Sequence, residues 1–324
     1  MRSREVSWEL GPTTVYGTLV KPDGAGPFPG VAFVAGSGPT DRDWNSPLLP
    51  GTNGSGRLLA EALAEAGIAS IRYDKRASGP HVRETIPLLI GTLSMRSHLD
   101  ELIGAVHLLA DEDDIRGDRI FGLGNSEGTL HVLNYALSGS QPPFAGLILA
   151  APPGRAVGDV ARAQLAAQAT ALPNGTELMG LYDASIARFQ AGEAVAPDPE
   201  LPEGVRNLLL SLENPANLPF ARELWTADAA QPLRRVRVPV LVVIGKKDLQ
   251  VDWQADGQVL ERAADGHENV SFLFPENANH ILKYEPRPHA ELTQGEAMTQ
   301  YNSADTHLDP ETVSALVTWL RARL

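Results

Sequence analysis

Short apolar runs punctuate the chain at residues 30–35, 69–73, 120–123, 145–150, 238–244 and 270–274, and each is closed by turn-forming or polar residues. Between the runs the spacing changes. Leu58, Leu59, Ala62, Leu63 and Ala66 fall on one face of a 3.6-residue period, and Leu99, Leu102, Ile103, Val106 and Ala110 do the same. Continuously apolar strands that alternate with amphipathic helices predict a parallel sheet covered on both faces. At the start of the chain, residues 6–10 and 14–19 flank Gly11-Pro12-Thr13, a turn sequence that predicts an antiparallel hairpin at the sheet edge. The last helix is marked by Asp309 as N-cap and Pro310 at its first position, followed by Val313, Leu316, Val317 and Leu320 at helical spacing. The predicted class is α/β, with a mostly parallel sheet and helices on both faces.

Residues 152–235 break this rhythm. They are rich in Ala and Leu, and Leu178, Tyr182, Ile186 and Phe189 recur at helical spacing, which predicts an inserted helical cap. Within it, residues 194–204 are rich in Pro and acidic side chains and read as a solvated connector. The organisation is therefore an α/β core in two parts, 1–151 and 236–324, with a cap at 152–235. Tyr182, Phe220 and Trp225 are the residues of the cap that we expect to line a substrate pocket, although such spacing also suits packing inside the cap.

Composition narrows the chemistry. The 324 residues are 43% apolar and 21% charged, ordinary for a globular protein and enough to bury a sizeable core. A formal net charge of -13 would repel phosphate backbones and anionic membranes, so neither nucleic acid nor membrane is an expected partner. With no cysteine, thiolate catalysis, disulfides and Cys-based metal sites are excluded, and no H-E-x-x-H spacing occurs. No metal or organic cofactor is expected. The first ten residues hold no uninterrupted apolar stretch, and the longest apolar runs fall far short of the roughly 20 residues that span a bilayer, which predicts a cytoplasmic protein. Oligomeric state, a homodimer included, is left open.

The segment with most chemical content is Ile120-Phe121-Gly122-Leu123-Gly124-Asn125-Ser126-Glu127-Gly128-Thr129-Leu130, a strand that passes through G-x-S-x-G into a helix. Such an elbow puts a serine on a sharp, strained turn, where side chains at positions 124 and 128 would collide with the neighbouring strand and helix. It exposes Ser126 Oγ at a helix N-terminus, where the backbone N–H of Glu127 and the helix dipole can stabilise an oxyanion. A second donor is expected from the Gly-rich turn after the strand at 30–35, and the N–H of Ser37 suits it; a turn without catalytic duty is the alternative there.

A general base must come from a loop at the carboxyl edge of the sheet. His280 satisfies this, because Pro275-Glu276-Asn277-Ala278-Asn279-His280 directly follows the run at 270–274. His98, His107 and His131 fall in helical patterns and read as structural, whereas His81, His267, His289 and His307 lie in polar loops. Asp248 occupies the corresponding loop after the run at 238–244. Its rival Asp252 is better explained as a helix N-cap. The chain order Ser126, Asp248, His280 is the one associated with the α/β-hydrolase arrangement of a triad.

These residues resemble the α/β-hydrolase superfamily, and more narrowly a bacterial serine esterase branch whose oxyanion loop is similar to Gly36-Ser37-Gly38-Pro39-Thr40-Asp41-Arg42-Asp43. In that branch Arg72-Tyr73-Asp74-Lys75-Arg76 and Gly245-Lys246-Lys247-Asp248-Leu249-Gln250-Val251 also find counterparts. Two positions depart from it: Asn125 stands where histidine is frequent, and Ala77-Ser78 replaces a glycine. The resemblance implies a carboxylesterase-like activity on a small-molecule ester beneath a helical cap, with triad roles at Ser126, Asp248 and His280. Arg42 and Asp43 read as an internal brace of the loop rather than as substrate ligands.

The expected reaction is acyl transfer to water through an acyl-enzyme. A thioesterase or acyltransferase would use the same groups, and a non-catalytic binding protein or a lyase could be built on the same scaffold. Peptide cleavage is disfavoured, since the related peptidases usually carry a large extra domain for which this chain has no room.

Overall fold

The computed structural model describes residues 1–324. Two strands, β1 (Arg2–Leu10) and β2 (Thr13–Lys21), pair antiparallel with Leu10 opposite Thr13, so that Gly11 and Pro12 alone make the turn. Gly11 has φ +62°, a conformation open to glycine at little cost. Six more strands complete the set: β3 (Phe28–Val34), β4 (Ala69–Tyr73), β5 (Ile115–Asn125), β6 (Gly146–Ala150), β7 (Val240–Val243) and β8 (Val270–Leu273). They form one sheet in the order β1-β2-β4-β3-β5-β6-β7-β8, with β2 antiparallel to β4 and every later pairing parallel.

Alternate residues of the central strands serve two cores. Leu147 and Leu149 of β6 and Val240 and Val242 of β7 face α3 (Met95–Ala110) and α4 (Gly128–Ser138), while Ile148, Ala150, Leu241 and Val243 face α1 (Ser55–Glu65) and α12 (Pro310–Arg321). Both faces being covered, the strands need no polar residues, which is why they read as unbroken apolar runs. Truncating one of these leucines to Ala would cost about 2–5 kcal/mol. At the last helix, Asp309 Oδ2 accepts from the Thr312 N–H at 2.8 Å and Pro310 opens the first turn, as the sequence predicts. Helix α2 (Val82–Leu89) carries Pro87 within it and gave no clear sequence signal.

Five helices lie between β6 and β7: α5 (Val157–Ala169), α6 (Gly175–Ala191), α7 (Glu203–Leu212), α8 (Phe220–Trp225) and α9 (Ala230–Leu233). Leu178, Phe189 and Leu209 form an apolar cluster of their own, whereas Ala230 and Leu233 join the main core. The connector at 194–204 is more than a solvated strap. Val195 and Leu201 are buried in that cluster, and the Arg188 guanidinium donates to the carbonyls of Val195 and Ala196, so the loop is fastened near its start.

After β8, α10 (Ala255–Ala263) having preceded it, the chain runs through α11 (Gln294–Thr299) to α12. Residues 284–307 are tied down at several points. The fully buried Lys283 ammonium donates to the Tyr301 carbonyl and the Thr306 hydroxyl, each at 2.6 Å, and Gln294 exchanges hydrogen bonds with Gln164 and Gln168 of α5. No helix is long and apolar enough to cross a membrane.

Candidate active site

The carboxyl ends of the parallel strands share one rim, and the loops leaving them carry the residues singled out in the sequence. Strand β5 turns through Gly124-Asn125-Ser126-Glu127-Gly128 into α4. Ser126 has φ +52°, in the left-handed region that a side chain makes unfavourable. Its N–H donates to the Ala150 carbonyl at 2.8 Å, which holds the turn against β6. A Cβ at Gly124 would overlap the Gly128 carbonyl, and one at Gly128 would overlap the Val34 carbonyl, so both positions require glycine. Ser126 is half-buried while its neighbours on both sides are buried.

On one flank of the serine, His280 Nδ1 lies 2.8 Å from Asp248 Oδ2, both residues being buried. Asp248 Oδ1 accepts the N–H groups of Gln250 at 2.7 Å and Val251 at 2.9 Å. A carboxylate only accepts, so the proton of the imidazole sits on Nδ1 and Nε2 keeps its lone pair. The Asn125 amide donates to the His280 carbonyl at 3.0 Å and so fastens the histidine loop to the residue beside Ser126. The Ser126 hydroxyl makes no hydrogen bond to a protein group. Hydrogen bonds of this kind are commonly loose before substrate binds. Asp252, the rival acid, accepts from the N–H groups of Gln254 and Ala255 at 2.8 Å and is used in capping the turn before α10.

On the other flank lies the Gly36-Ser37-Gly38 turn after β3. A Cβ at Gly36 would sit 3.3 Å from Ser126 Cβ, which places the Gly36–Ser37 peptide against the serine. The N–H groups of Ser37 and Glu127 have no backbone acceptor. Arg42 grips the Asp74 carboxylate through Nε at 2.9 Å and a terminal nitrogen at 2.7 Å, and Arg72 Nε donates to Asp43 at 2.6 Å. Arg42 and Asp43 thus brace the loop, and Gly79 packs where a side chain would overlap the Asp74 carboxylate.

Comparison with known proteins bears on the family and the fold. Residues 31–294 match the model of the Alpha/beta hydrolase family. The chain belongs to that family. It is 28% identical over 268 residues to Esterase EstD of Thermotoga maritima, an alignment that takes in 82% of this chain and 57% of that protein. The chain therefore spans little more than half the length of that curated relative. Among solved structures, it is similar to the proline iminopeptidase of Mycobacterium smegmatis (TM-score 0.57, 16% identity, 99% of this chain and 98% of that one). It is also similar to an esterase of Pyrococcus furiosus (TM-score 0.56, 16% identity, 99% and 91%). At such identities the structural likeness speaks of the fold.

The chain also carries a buried ionic layer that sequence reasoning did not assemble. The Lys75 ammonium donates to Glu127 Oε1 at 2.6 Å and to the Gly36 carbonyl at 2.7 Å. His131 Nε2 reaches the same Glu127 oxygen at 3.1 Å. Beside them, Arg76 and His98 Nδ1 hold the two oxygens of Glu101 at 2.8 and 3.1 Å. Burial works to raise the Glu127 carboxyl, but the Lys75 charge and the His131 hydrogen bond overcome it and hold it far below the ordinary carboxylate range. Burial likewise opposes Glu101, which His98 and Arg76 keep below its usual value. The His131 imidazole is pushed down to about 4, chiefly by burial, against the pull of Glu127. Its Nδ1 has no partner, which suits a neutral ring that donates from Nε2. The signals available in the sequence were the helical offsets His98 to Glu101 and Glu127 to His131, and the charged trio Asp74-Lys75-Arg76 after β4.

The three aromatic residues of the helical insert have other surroundings than a substrate pocket. Tyr182 and Trp225, 1% and 7% exposed, belong to the insert's own apolar cluster, where Trp225 meets Phe189 edge-on. Phe220 packs on the rings of His98 and His131. Helical spacing marked a buried stripe correctly, and the insert covers that stripe with its own helices. No group of three or more His, Asp or Glu side chains is arranged to hold a metal ion.

Proposed function

We propose that this hydrolase cleaves carboxylic esters of small molecules through an acyl-enzyme on Ser126, as a cytoplasmic enzyme that needs no cofactor. The observation that carries the reading is the 2.8 Å Asp248–His280 pair beside a serine held at φ +52°. The esterase name of the Thermotoga maritima relative supports the substrate class, and the Gly36-Ser37-Gly38-Pro39-Thr40-Asp41-Arg42-Asp43 loop supports the bacterial esterase branch.

In this reading His280 Nε2 takes the proton of Ser126 as Oγ bonds to the ester carbonyl carbon, and Asp248 stabilises the imidazolium through Nδ1–H. The tetrahedral oxyanion accepts from the N–H groups of Ser37 and Glu127 at the N-terminus of α4, each donor worth on the order of 3 kcal/mol of barrier. Collapse breaks the carbon–alkoxide bond, and the departing oxygen takes the proton from the imidazolium. Water, activated by the same imidazole, attacks the acyl-enzyme and regenerates the Ser126 hydroxyl.

The test is covalent labelling by a fluorophosphonate alongside turnover of p-nitrophenyl acyl esters. Wild type should be labelled and active, and Ser126→Ala should be neither. An unlabelled wild type with no ester turnover would favour a binding role on the same scaffold. A matched series of oxygen esters and thioesters then separates esterase from thioesterase action.

A further inference from the structure

We infer that Lys75 is a positioning residue for the oxyanion hole, a single buried ammonium that sets the relative orientation of its two N–H donors. The inference rests on the serine-hydrolase reading of Ser126.

Lys75 leaves the end of β4 and is 4% exposed. Its two acceptors lie on opposite sides of Ser126 in the chain: the carbonyl of Gly36 at 2.7 Å and the carboxylate of Glu127 at 2.6 Å. The Gly36 carbonyl belongs to the same peptide unit as the Ser37 N–H. In a planar trans peptide the C=O and N–H point in opposite directions. Holding that carbonyl on the ammonium therefore aims the Ser37 N–H away from Lys75, and the peptide already lies against Ser126 Cβ.

The other acceptor belongs to the residue that supplies the second donor. Glu127, 3% exposed, cannot turn freely, because His131 Nε2 occupies the same oxygen and α4 begins at the next residue. The ammonium thus fastens one donor's peptide by its Gly36 carbonyl and the other donor residue, Glu127, by its side chain. Neither N–H is consumed by the clamp, and neither has a backbone acceptor.

Stability alone is a poor account of such a pair. Removing an ammonium and a carboxylate from water costs several kcal/mol per ion, and well-packed neutral replacements of a buried pair are often as stable. What the pair supplies that neutral packing would not is a fixed distance and direction between two peptides from different loops. Fixed dipoles of this kind act where charge develops, without reorganising during the reaction.

The experiment compares two paired replacements. Lys75→Met/Glu127→Gln removes the clamp without leaving either charge unpaired. Arg76→Met/Glu101→Gln does the same to the adjacent buried pair, which touches neither Gly36 nor Glu127. For p-nitrophenyl esters the first should lower kcat by roughly 10- to 100-fold with KM within about twofold. Its affinity for a boronic acid that mimics the tetrahedral adduct should fall in parallel. Lys75→Arg with Glu127 retained should recover part of kcat. The Arg76/Glu101 replacement should leave kcat within about twofold whatever it does to the melting temperature. The inference is overturned if Lys75→Met/Glu127→Gln keeps wild-type kcat, or if both replacements lower kcat equally, which would mean general loosening. A wild type that neither reacts with fluorophosphonate nor turns over esters would instead remove the serine-hydrolase reading beneath it.

Discussion

The two flanks of Ser126 are built differently. Towards β3 and β4, the loops are held by buried charges, with Lys75, Glu127, Arg76 and Glu101 in direct ion pairs and His131 and His98 attached to them. Towards β7 and β8, one imidazole leans on one carboxylate, and the remaining bonds are neutral: two backbone N–H groups on Asp248 and one amide on the His280 carbonyl. In the proposed reaction, the contrast matches the work asked of each side. Oxyanion donors must keep one geometry throughout the reaction, which a directional pair placed like Lys75–Glu127 suits. The imidazole must gain and lose a proton within each cycle, and a carboxylate that orients it and stabilises the imidazolium from Nδ1 leaves Nε2 free to do so.

Breaking the neutral flank or the nucleophile should affect chemistry most. Ser126→Ala or His280→Ala is expected to lower kcat by roughly 10⁵- to 10⁶-fold with the fold intact, read by steady-state kinetics alongside circular dichroism. Asp248→Asn should cost about 10⁴-fold, since the amide leaves the imidazole in the wrong tautomer. Wild-type turnover by the Asn variant would remove Asp248 from its assigned role.

Breaking the charged flank should be felt first in stability. Lys75→Met alone leaves the Glu127 carboxylate buried beside a neutral histidine, and urea unfolding at pH 7 should show a loss of about 3–5 kcal/mol, larger than the loss for Lys75→Met/Glu127→Gln. Equal losses in the two would mean that the Glu127 carboxylate does not need its cation.

The same flank should make the protein sensitive to acid. His131 has a folded value of about 4 against an ordinary 6.5, so between those values the unfolded chain binds the proton more readily. Stability is then complete above pH 6.5 and declines as pH falls towards 4, by on the order of 3 kcal/mol. Glu127, also depressed, acts in the same direction, losing its contribution as pH falls below the ordinary carboxylate value. Urea titrations of wild type and His131→Asn between pH 7 and 4 should show a shallower decline in the variant.

The smallest effect is expected at the link between the flanks. Asn125→Ala removes the donor to the His280 carbonyl and should cost about 1 kcal/mol of stability, with a severalfold fall in kcat at most. A far larger fall would show that the elbow positions the imidazole.

The sequence alone determined the strand set, the mostly parallel sheet, the Asp309 cap and the identities of Ser126, Asp248 and His280 as the residues to watch. These are local signals: unbroken apolarity reports burial on both faces, a glycine pair reports a tight turn, and each polar residue directly follows a strand that carries it to the same rim. Tertiary structure alone decided the rest. Lys75 and Glu127 are 52 residues apart in the chain, and only the adjacency of β4, β3 and β5 brings the ammonium to the elbow. Tyr182 and Trp225 showed an apolar stripe, but the cover over a stripe is a property of the neighbouring helices. The loop at 194–204 looked polar because its anchor, Arg188, lies outside it and binds carbonyls, which every residue possesses and no residue type reveals.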